Sequence, residues 1–160
     1  NAAHVLTVDE CMDFEDWFEL VTRMPEHLNS PMRQLLRSTR RAESVERLLT
    51  AVTTWDALIG SYPDSDPGTP EQGAFLLEAS VPASHGSLQS ELSEIYAVRA
   101  AIVFGAADPY ENEPDEYIAA LADRALRVSI EMFRCILASD ELANSPDPKS
   151  RSHVLTRLTA

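Results

Sequence analysis

Residues 114–142 read PDEYIAALADRALRVSIEMFRCILASDEL, and this stretch decides the fold class. Ile118, Leu121, Ala125, Val128, Met132 and Ile136 return at intervals of three and four, which stacks them on one face of an α-helix of about 3.6 residues per turn. Phe133 and Leu137 widen that face. Asp123, Arg124, Arg127, Glu131 and Arg134 fill the other side, where their mixed signs suit solvent and intrahelical pairing. Pro114 fits a first helical turn because its missing N–H would have no partner there, and Asp115 and Glu116 set negative charge at the positive end of the helix dipole. A helix over 114–142 with one apolar stripe needs another apolar surface to cover it.

The rest of the chain supplies that surface in the same form. Over residues 84–106, Leu88, Leu92, Ile95, Ile102 and Ala106 form an inward stripe, with Tyr96 and Val103 on one flank and Val98 on the other. Over 9–24, Phe14, Trp17, Phe18 and Val21 share a face while Asp13, Glu15, Asp16 and Glu19 take the remainder. This helix is expected to dock through its aromatic side chains and to stop at Pro25. Asn29-Ser30-Pro31 restarts a helix with a polar cap followed by proline. From 32 to 59 the composition stays helical but the apolar face turns, from Met32, Leu35 and Leu36 to Val45, Leu48, Leu49, Val52, Trp55 and Ile59. One continuous helix is expected there, meeting different neighbours at its two ends. The alternative is a joint at Ser38-Thr39 with a second helix from Arg40. Gly60 closes the segment, 61–70 reads as a loop, and a short helix from Thr69 to about 79 docks Phe75 and Leu76 before the interruption at 81–83. Residues 108–113 form an acidic connection to the 114–142 helix.

Alternating β-branched runs, hairpin turns and tandem repeats are all missing from the sequence. The fold class is therefore all-α, an antiparallel four-helix bundle or an irregular helical array with additional short helices. Length fits one domain. Residues 1–8 read as a tag-removal scar (Asn1-Ala2) and an N-terminal arm, 9–143 as a single helical domain, and 144–160 as a polar, linker-like tail interrupted by Pro146 and Pro148. Val154, Leu155 and Leu158 would give that tail a short terminal helix or a frayed end.

Charge narrows the function classes. Twenty-six acids against thirteen Lys and Arg give a net charge of -13, which repels phosphate backbones and anionic lipids and leaves a cationic protein as the easier partner. Neither a nucleic acid nor a membrane is expected. No compartment signal is legible; a soluble, cytoplasmic setting is the default, with a removed signal peptide or upstream domain as the alternative. Cys11 and Cys135 make neither a disulfide scaffold nor a metal cluster, and two thiols are expected rather than one bridge. His4, His27, His85 and His153 sit in four separate segments without a second ligand at compact spacing, so no metal and no cofactor is assigned. Ser84-His85-Gly86-Ser87 reads as a capped helix start, because no phosphate-loop lysine accompanies it.

Three groups remain as candidate sites. Arg33, Arg37, Arg40 and Arg47, with Ser44 at the missing step, follow spacings of four, three, four and three, which aligns them on one face of a continuous helix; Arg41 broadens the row. Together with Trp17 these are the candidate protein-binding residues. Arg99 falls on the apolar stripe between Ile95 and Ile102, where a charge demands an acidic partner or several acceptors, and with Tyr96 it is the candidate ligand-binding pair. Glu91 and Glu94 on the same helix could join them in a polar cavity, but no catalytic residue is assigned. The expected function is a noncatalytic protein-interaction module that binds or neutralises a cationic protein partner. The alternative is a small-ligand-binding helical sensor domain of a larger protein.

Overall fold

The computed structural model describes residues 7–60, 68–78, 85–105 and 115–158, without the side chains of 8–11 and 85–86. Eight α-helices occur among them: α1 (Val8–Thr22), α2 (Asn29–Ser38), α3 (Ser44–Ile59), α4 (Thr69–Glu78), α5 (His85–Phe104), α6 (Asp115–Ala138), α7 (Asp140–Ala143) and α8 (Pro148–Leu158), with one 3-10 turn at Glu26–Leu28. Residues 1–6 of the expected arm, 61–67 of the expected loop, the interruption at 81–83, the acidic connection at 108–113 and the side chain of Cys11 lie outside the described residues.

The all-α expectation holds, in its irregular form. The helices gather around α3, which touches α2, α4, α5, α6 and α8. Its main partner is α6, and small residues let the two helices cross closely: Ala51, Ala122, Ala125 and Ser129 are all fully buried. Trp55 fills the crossing. Its Nε1 donates to Ser129 Oγ at 2.9 Å and to the Ala125 carbonyl at 3.3 Å, so this large buried ring leaves no donor unsatisfied. Gly73 plays the corresponding part on α4, where a Cβ would stand 2.6 Å from Met132 Cε and 3.0 Å from Leu92 Cδ1.

Three element boundaries differ from the sequence reading. Residues 32–59 are two helices rather than one, divided by the turn that follows Ser38, with Glu43 in extended backbone before α3. The turned apolar face is the reason: breaking the helix lets Met32 and Leu35 and also Leu48 and Trp55 all face the same core, which one straight rod could not do. The long last helix stops at Ala138, because Ser139 leaves helical dihedrals and accepts a bond from the Leu142 N–H at the start of α7. The segment read as a linker-like tail ending in a short helix or a frayed end carries the helix, α8, which starts earlier, at Pro148, and whose Leu155 belongs to the core and whose Arg151 is 1% exposed. Asp147 starts that helix, accepting from the N–H and the hydroxyl of Ser150 at 2.8 and 3.0 Å. Those two bonds, with the backbone contribution first, hold its carboxyl below the ordinary range.

Candidate functional site

α1 is the least embedded helix. None of its described side chains is fully buried, and Trp17, Leu20 and Val21 are the half-buried ones. The expectation that its aromatics dock together is corrected for two of the three. Trp17 does pack, with the Arg134 guanidinium 5.9 Å from its ring centroid, but Phe14 and Phe18 are 60% and 59% exposed, stacked on one another at 6.4 Å. The helix has more apolar residues than its single line of contact on α6 can hide.

Between α1 and α2 this leaves an open groove of about 370 Å³, lined by Phe14 and Trp17 on one wall, Met32, Leu35 and Leu36 on the other, and Ile130 on the floor. Leu36 is itself 50% exposed. Asp13 stands on the α1 wall and Thr39 on the α2 wall, and Arg134 of α6, the cation over the Trp17 ring, completes the lining. On the far side of α1 lies a second cleft of about 560 Å³ towards α6 and α7, whose charged lining is Asp16, Glu19, Arg23 and Asp140. Glu19 and Arg23 there are an exposed pair at 3.9 Å.

The arginine row does not survive as one face, because the break after α2 divides it. Arg33 and Arg37 stand on α2, Arg40 and Arg41 in the turn, and Arg47 on α3. Arg47 is drawn to Asp123 on α6 at 3.3 Å, and Arg41 to Glu46 at 3.1 Å. Arg33, Arg37 and Arg40 remain exposed and form no ion pair among the described residues. The expected single face of five arginines is thus corrected to an exposed group of three, Arg33, Arg37 and Arg40, with Arg41 and Arg47 drawn into ion pairs.

Arg99 and Tyr96 converge on α3. The Tyr96 hydroxyl donates to Asp56 Oδ1 at 2.7 Å, Arg99 Nη2 lies 3.4 Å from Asp56 Oδ2, and the guanidinium stacks 5.4 Å over the Tyr96 ring. Thr69 at the start of α4 reaches the same carboxylate at 3.5 Å. Burial first, and then the bond to Asp56 and its negative charge, raise the Tyr96 pKa above 10.0. Arg99 is 23% exposed, so the charge on the stripe is met by an acid, as its position requires. Glu91 and Glu94 do not join this cluster: they turn to α6, pairing with Arg124 at 3.0 Å and accepting from Tyr117 at 2.8 Å. The four polar residues expected in one cavity are therefore divided between two helix interfaces, Arg99 and Tyr96 facing α3 and Glu91 and Glu94 facing α6.

Sequence reasoning missed Arg151. Its guanidinium donates to the Leu58 carbonyl, to Ala57 O at 3.1 Å and to Ser145 O at 2.8 Å. The first two are carbonyls of the last turn of α3, which have no intrahelical donor, and Gly60 N–H takes the Asp56 carbonyl beside them at 2.8 Å. A cation at a helix C-terminus also meets the negative end of the dipole. The legible signal was Asp147-Pro148, a helix start that puts Arg151 one turn before Leu155 on the same face. Among the described residues no His, Cys, Asp and Glu cluster could hold a metal ion, and no helix is long and apolar enough to cross a membrane. Comparison with protein-family models, with curated proteins and with solved structures returns no match.

Proposed function

We propose that this chain is a noncatalytic protein-interaction module that docks its partner along the groove between α1 and α2. The observation that carries this reading is the stacked Phe14–Phe18 pair, more than half exposed and continuous with an apolar groove. Exposed aromatics beside a concave apolar surface are the usual anchors of an interface, since their burial supplies most of the binding energy. Asp13, Glu15, Asp16 and Glu19 stand exposed on the same helix, so a partner bearing basic side chains beside its apolar ones is favoured, and a cationic protein is one form of it. The small-ligand alternative draws less support, because the Tyr96 hydroxyl and Arg99 Nη2 already meet Asp56.

The test is capture of partners by the native chain and by a Phe14→Ser, Phe18→Ser variant whose helicity is unchanged by circular dichroism. A partner retained by the native chain and lost by the variant supports this face. Equal capture by both would move the binding surface elsewhere.

A further inference from the structure

The two walls of the groove carry opposite charge. On α2, Arg33 stands three residues before Leu36 and so flanks it on the helix surface, and Arg40 follows in the turn after α2; both are exposed and form no ion pair among the described residues. On α1, Asp13 lines the groove beside Phe14, and Glu15 stands three residues before Phe18, both exposed. The acids therefore stand on the α1 side of the groove and the bases on the α2 side, with Arg134 of α6 in the lining between them.

We infer that the groove is covered by a second copy of this chain, related to the first by a two-fold axis running along the groove. This rests on the reading that the face docks protein, and it names the occupant. Rotation about that axis turns the second face over and exchanges its walls. The acidic edge of each copy then meets the basic edge of the other, and Phe14 and Phe18 of each meet the Leu36 side of its partner. A two-fold interface uses one patch twice, so it needs a patch that complements itself, and a patch acidic on one side and basic on the other does. An interface between unlike chains has no need of both signs in one patch; a purely cationic segment would meet Arg33 and Arg40 as repulsion. The net charge of -13 on each copy opposes approach, but at about 0.1 M salt charges more than about 10 Å from the seam are largely screened, while the edge pairs lie within it.

Light scattering on the native chain, from low micromolar to several hundred micromolar, reads the outcome. The mass rises with concentration from 17.7 kDa towards twice that value. Asp13→Arg with Glu15→Arg makes both edges basic, and Arg33→Glu with Arg40→Glu makes both acidic; each variant alone self-associates at least tenfold more weakly than the native chain. Mixed in equal amounts, the two restore the double mass, which also shows that neither loss was misfolding. A native chain that stays monomeric at the highest concentration overturns the inference, as does a dimer indifferent to both variants or a mixture that stays monomeric. If the native chain is monomeric yet still captures a partner through Phe14 and Phe18, the second copy is refuted and the docking reading stands. If that capture fails as well, both fall.

Discussion

Arg151 is a buried cation that is held by carbonyls, and replacing it separates two explanations of why it is tolerated. Three bonds from a charged donor contribute about 1.5–3 kcal/mol each, roughly 5–9 kcal/mol in all. Against this stands the cost of taking a guanidinium out of water, several kcal/mol, which Arg151→Met would relieve while keeping most of the side-chain volume. The difference predicts a net loss of about 2–4 kcal/mol for Arg151→Met, a large share of a domain stability of about 5–15 kcal/mol. Arg151→Lys is the sharper probe. It keeps the charge and its desolvation cost, but one ammonium cannot span the Ala57 and Leu58 carbonyls on α3 and the Ser145 carbonyl before α8 as the planar fork does. Lys should therefore be no better than Met, with a loss of about 3–5 kcal/mol. Urea unfolding followed at the helical band measures both, with equal slopes required for the comparison. Lys within about 0.5 kcal/mol of the native chain would refute the reasoning, since charge at the end of α3 would then suffice without the three-carbonyl geometry.

Three further outcomes follow from the packing. Ser129→Ala takes away the 2.9 Å acceptor of Trp55 Nε1 and leaves it the longer bond to Ala125; calorimetry should register a loss of about 1 kcal/mol, and an unchanged melting temperature would deny that bond a role. Gly73→Leu overpacks α4 against Met132 and Leu92 and costs about 1–3 kcal/mol, and combining it with Met132→Ala should cost less than the two losses added, a coupling that strict additivity in denaturant melts would disprove. Because the Tyr96 pKa is raised by folding, its stabilising effect is complete below pH 10.0 and is lost as pH rises through the higher folded value, the native state holding a proton that the unfolded state has released. Tyr96→Phe should flatten the decline of stability above pH 10.0, and parallel declines in the two proteins would remove Tyr96 as its source.

Part of the candidate site was legible before the fold. Phe14, Trp17 and Phe18 read as one aromatic group, and Arg33, Arg37 and Arg40 as part of one basic row. Periodicity gives a residue its direction around its own helix and says nothing about whether a neighbour is waiting there. Phe14 and Phe18 consequently read as docking residues, although α6 covers the Trp17 line and stops short of them. The same limit explains Arg47, which looked like part of the row until Asp123 of α6 came within reach.

Spacing, caps and charge in the sequence determined by themselves that the fold class is all-α, where most helices begin, and that Arg99 on an apolar stripe, once enclosed, needs an acid or several acceptors. These are local properties, set within one or two turns by backbone sterics and by the cost of leaving a charge unpaired. The tertiary structure alone decided that Asp56 is that acid, that 32–59 breaks after Ser38, and that Arg151 closes the end of α3 from a helix ninety residues away in the chain. Each of these is fixed by which faces share the core, and that choice depends on volumes and unsatisfied backbone groups from distant segments, brought together only when the helices pack.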